Sequence, residues 1–71
     1  MTKCYIDFYN SVCEGLIGTK DEVKAFLKAE GRYDYEGAQR IRNREQHKWE
    51  RVIVFSYATH YGTGFVCYKA E

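Results

Sequence analysis

The sequence predicts a small α+β domain, an antiparallel sheet of about four strands (two hairpins) packed on one well-capped helix, with a second short helix beside it. Three observations carry this expectation. Cys4-Tyr5-Ile6-Asp7-Phe8-Tyr9 alternates apolar and polar residues with the period of a half-buried strand. Thr19-Lys20-Asp21-Glu22 has the form of a capping box, placed just before an apolar stripe of helical spacing. Val52 to Phe55 is the longest unbroken apolar run, and across Gly62-Thr63-Gly64 it is followed by a second strand-like run, Phe65 to Tyr68.

In chain order, Cys4, Ile6 and Phe8 share one face of the first strand, with Tyr5, Asp7 and Tyr9 on the other. Asn10-Ser11 reads as a turn, and Val12 to Ile17 as a partner strand weakened by Gly15. Thr19 caps the helix and Asp21 and Glu22 suit the positive end of its dipole. Val23, Phe26 and Leu27 fall at i, i+3 and i+4, Lys20, Lys24 and Lys28 line the outer side, and Gly31 is the natural terminator. Residues 32–48 read as a second helix capped by Asp34 and starting near Tyr35, or as a partly ordered loop. The stripe there is thin, only Ala38 and Ile41 before Trp49, and Gly37 costs roughly 1 kcal/mol in a helix interior. In the last hairpin, Gly62 and Thr63 as turn residues set Tyr61 opposite Gly64, Thr59 opposite Val66 and Tyr57 opposite Tyr68.

With 71 residues the chain makes a single domain, residues 1–71, that buries only about 60% of the surface its unfolded form exposes. No signal peptide is read in the first ten residues, and no apolar run approaches the ~20 residues of a membrane span. Three cysteines in such a chain suggest a reduced, cytoplasmic protein with buried free thiols. The formal charge is +1, unevenly spread. Residues 1–39 carry five Lys/Arg against seven Asp/Glu, a balance of −2, whereas residues 40–51 carry five (Arg40, Arg42, Arg44, Lys48, Arg51) against Glu45 and Glu50, a balance of +3. A near-neutral whole argues against general nucleic-acid binding and leaves one local basic patch.

Catalytic and metal chemistry finds little support. Cys4, Cys13, Cys67 and His60 have the atoms for zinc but lack the paired short spacings of structural sites. Cys13 with His47 or His60 carries no local nucleophile signature, and Asp7 with Glu14 is an ordinary surface pairing. The expectation is therefore a protein that is not an enzyme and takes no cofactor.

Seven tyrosines, one tryptophan and five arginines are a rich supply of the residue types that dominate binding hot spots. This points to a protein-binding module that docks Tyr33, Tyr35, Arg40, Arg42, Arg44 and Trp49 on a larger protein or nucleoprotein complex. An inhibitor or adaptor of the kind that phages and mobile elements encode fits that size. The alternative is nucleic-acid binding through Arg40 to Arg51, where arginine meets phosphate and aromatics stack on bases. Self-association through exposed aromatics is a third reading.

Overall fold

Period-2 alternation, extended over more of the chain than the sequence reading allowed, governs the architecture. The computed structural model describes residues 2–8 and 11–70, with the side chains of residues 7, 8 and 11–13 left aside. The elements run β1 (Thr2–Phe8), β2 (Ser11–Gly18), α1 (Lys20–Glu30), β3 (Asp34–Asn43), β4 (Lys48–Thr59) and β5 (Gly62–Lys69). The inward place given to Phe8, the outward places of Asp7 and Tyr9, the Asn10-Ser11 turn and any role for Cys13 fall outside what is described.

The α+β class holds, but the sheet has five strands and is mixed, in place of four antiparallel ones. It closes into a barrel in the order β1-β2-β5-β4-β3. A closed ring with an odd number of strands cannot be antiparallel at every seam, and here the parallel pair is β2–β5, with Gly15 opposite Phe65 and Ile17 opposite Cys67. The β1–β2, β3–β4 and β4–β5 pairs are antiparallel. Closure falls to β1–β3, joined by one bridge, Tyr5 to Arg42.

Within residues 32–48, expected as a second helix or a partly ordered loop, residues 34–43 form a strand. Ile41 and Asn43 are buried while Arg40 and Arg42 are exposed, an alternation that a helix could not satisfy. The thin helical stripe of Ala38 and Ile41 was a by-product of that alternation around Gly37. Gly37, at φ 108, accommodates the register shift between Tyr35 and Gly37. The β3–β4 turn is held by Asn43, whose Oδ1 accepts the backbone N–H of Glu45 (3.0 Å) and of Gln46 (3.2 Å).

The last hairpin is present, four residues out of the expected register along β5. His60 and Tyr61 form its turn, so Thr59 faces Gly62, Tyr57 faces Gly64 and Ile53 faces Tyr68. Thr59 decides this: its Oγ1 accepts the Tyr61 N–H (3.1 Å) and donates to the Gly62 carbonyl (2.9 Å), while Gly62 supplies the positive φ of 129°. An even shift preserves facing, so residues paired in the expected register still lie on the same face of the sheet.

Two packed layers result. Inside the barrel lie Cys4, Ile6, Ile17, Ile41, Val52, Val54, Phe65 and Cys67, all buried. Outside it, α1 covers β5 and β2. The Thr19 cap accepts the Glu22 N–H and Gly31 ends the helix at φ 79, as the sequence predicts. Val23 and Val66 are fully buried. Beside them Phe26, Tyr33 and Tyr57 form a ring cluster with centroids 5.5–5.9 Å apart, at the edge-on angles aromatic quadrupoles prefer. Among the described residues, no helix is long and apolar enough to cross a membrane.

Candidate binding face

Because β3 is extended, the basic segment becomes a sheet face with fixed partners. Outward on β3 stand Tyr35, Ala38, Arg40 and Arg42, and opposite them on β4 stand Phe55, Ile53, Arg51 and Trp49 respectively. Neither set contains a carboxylate. Arg40 therefore lies directly across from Arg51, a like-charge pair that costs stability on a sheet. Among the described residues, none of Arg40, Arg42 and Arg51 makes an ion pair.

Aromatic rings bound this arginine stripe at both ends. Trp49, 58% exposed, pairs with Arg42 at one end. At the other, Tyr35, 66% exposed, meets Phe55 edge-on at 5.6 Å, and Phe55 stacks on Tyr68 at 6.4 Å. The two ends are six residue steps apart along β4, roughly 20 Å at strand rise. The face can thus offer two rigid aromatic contacts with cationic hydrogen-bond donors between them.

Of the six contact residues read from sequence, Tyr35, Arg40, Arg42 and Trp49 come together here. Arg44 sits in the β3–β4 turn, and its guanidinium carbon lies 3.3 Å from the centre of the Tyr5 ring, so it clasps β1 beside the thin β1–β3 seam. Tyr33 is turned into the ring cluster under α1. Its hydroxyl is buried and has no hydrogen-bond partner among the described residues. Burial, with the charge of Glu30 and the neighbouring Tyr57, pushes its pKa from 10 up to about 12.

That shift has a checkable consequence. Below pH 10 the phenol is neutral in both states. Above it the unfolded chain ionises first, so stability falls as pH rises from about 10 towards 12. Tyr33→Phe keeps the ring contacts and removes the hydroxyl, so it should unfold at higher denaturant than the native chain at pH 7, with a shallower alkaline decline. Equal midpoints across pH 7–11 would place the hydroxyl in solvent.

Sequence reasoning missed Phe55 and Tyr68 as face residues, and it missed Glu50. Inward alternation of Val52 and Val54 also turns Glu50 and Ser56 inward, which the run W-E-R-V-I-V-F-S already encodes. Ser56 donates to Glu36 at 2.6 Å. Glu50, 8% exposed, lies at the barrel end against a cavity of about 700 Å3 that Lys20, Asn43, Gln46, Tyr68 and Lys69 help to line. Its Oε1 is 3.3 Å from Lys69 Nζ and 3.7 Å from Lys48 Nζ. Among the described residues no cluster of three His, Cys, Asp or Glu side chains is placed to hold a metal ion. His60 lies in the β4–β5 turn, whereas Cys4 and Cys67 are inside the barrel.

Comparison of the chain with protein-family models, with curated proteins and with solved structures found no match.

Proposed function

We propose that this chain is a non-enzymatic binding module that docks the outer face of β3 and β4 on an acidic surface of a larger protein or nucleoprotein. The observation that carries the reading is the acid-free arginine stripe held between exposed Trp49 and Tyr35. Tryptophan, tyrosine and arginine in one patch are the residue types in which interface energy concentrates, and a rigid barrel presents them at little entropic cost. Acting in the cytoplasm, the module would occlude or bridge its target as the small inhibitors of phages and mobile elements do.

Nucleic acid is the second reading, and Arg40 opposite Arg51 favours it. Two guanidiniums held across a ladder without a carboxylate between them suit a phosphate. The two readings separate in one experiment. Tagged protein is used to capture partners from host lysate at 50 and 200 mM salt, with and without nuclease, beside an Arg40→Glu/Arg42→Glu variant that melts no lower than the native chain. Protein capture that survives nuclease and salt, and is lost in the variant, supports the first reading. Capture that vanishes with nuclease and falls steeply with salt moves the site to nucleic acid. Capture equal in the variant removes this face from function, and sedimentation of the native chain as a dimer assigns the exposed rings to self-association.

A further inference from the structure

We infer that Cys4 and Cys67 are a reversible disulfide site that clamps the barrel shut. Their Sγ atoms lie 4.0 Å apart in the interior and both residues are fully buried. Cys4 sits on β1 opposite Gly15, and Cys67 sits on β5 opposite Ile17, so the two thiols meet across β2. A bond would therefore join the first and last strands, 63 residues apart in sequence. Cys67 also donates to the Leu16 carbonyl at 3.2 Å. Contact with Cys4, then burial, pushes the Cys67 thiol up.

The route in is the β1–β3 seam. One bridge, Tyr5 to Arg42, and the Arg44 clasp on Tyr5 close it, whereas β1–β2 is paired over seven positions. Opening that seam uncovers Cys4, the residue beside the bridge. The oxidant is a low-molecular-weight disulfide. The Cys4 thiolate attacks one of its sulfurs, forming a mixed disulfide and expelling one thiol. Cys67 then attacks the Cys4 sulfur, forms the intramolecular bond and expels the second thiol. Two protein thiols lose two electrons and two protons, and the oxidant is reduced to two thiols. Closing the sulfurs from 4.0 Å to a bond of about 2.05 Å draws β1 and β5 inward across β2, because the two cysteines stand on strands that are not neighbours.

The test uses the full chain carrying Cys13→Ser, so that only these two thiols remain, equilibrated in mixtures of oxidised and reduced glutathione. Peptide mapping should find Cys4 joined to Cys67 in a monomer. The melting temperature should rise by about 15 °C or more, because a loop of this length loses much of its unfolded-state entropy. Dithiothreitol should reverse the shift, and Cys4→Ser should abolish it. Thiols that stay free after equilibration through a full unfolding and refolding cycle would overturn the inference, as would a stable glutathione adduct, an intermolecular bond or a lower melting temperature. The two thiols lie inside the barrel and the arginine side chains outside it, so either proposal can fail alone.

Discussion

Gly15→Val will leave the domain unfolded, and Gly15→Ala will cost about 2–3 kcal/mol. Gly15 is buried in β2, between Cys4 on one neighbouring strand and Phe65 on the other. A Cβ there would lie 2.6 Å from Ile6 Cδ1, 3.1 Å from the Phe65 carbonyl oxygen and 3.3 Å from Phe65 Cβ. The carbonyl belongs to the parallel ladder and yields only with its strand, and the Ile6 methyl, fully buried, must turn into packed neighbours. A chain of this size has about 4–10 kcal/mol of stability in total. The alanine methyl would remove a large share of it, and the two branched methyls of valine the rest. Urea titration followed by far-UV circular dichroism reads the effect. A Gly15→Ala midpoint equal to the native one would mean that Ile6 does not fill this space and that β2 does not run against β5.

The same glycine shows how far the sequence could be read. As a weak point in a strand it was legible. Its reason, close approach of β1 and β5, was not, because parallel pairing of β2 with β5 follows from closure of the whole ring. Elements whose signals are local came through intact: Thr19 and Glu22 at the helix start, Gly31 at its end, and the Cys4–Ile6 alternation. Residues 34–43 were misread because Gly37 breaks the alternation, leaving an Ala38–Ile41 spacing that mimics a helical stripe. That one error scattered the candidate site. On a helix Arg40 and Arg44 would share a face with Arg42 opposite; on a strand Arg40 and Arg42 share a face with Trp49, and Arg44 leaves it at the turn. Tyr33 was taken for a surface contact since nothing local reveals that Phe26 and Tyr57 close around it. Glu50 was counted with its charged neighbours along the chain, although its place two residues before Val52 on one strand face already turned it inward.

Removing both lysines beside Glu50 should be the second severe lesion. Lys48→Ala with Lys69→Ala leaves a carboxylate, 8% exposed, whose oxygens have no hydrogen-bond partner among the described residues. Stranding a buried charge in this way costs about 3 kcal/mol or more. The lysine side chains are themselves 56% and 60% exposed, so little of the loss comes from their own packing. Adding Glu50→Leu to the double variant removes the stranded charge and extends the inward row of Val52 and Val54, and should restore stability to the native level or above. The order of the three denaturation midpoints decides the matter. Native and triple variants well above the double variant assign the lysines to neutralising a charge that strand alternation forces inside. A double variant as stable as the native chain would mean that water from the adjoining cavity reaches the carboxylate. A triple variant no better than the double one would mean that the lysines hold the end of β5 by packing. On the first outcome, the arginine face and the barrel end follow from one alternation: from Trp49 to Ser56, each outward residue of β4 joins the binding surface and each inward one is apolar, hydrogen-bonded or neutralised.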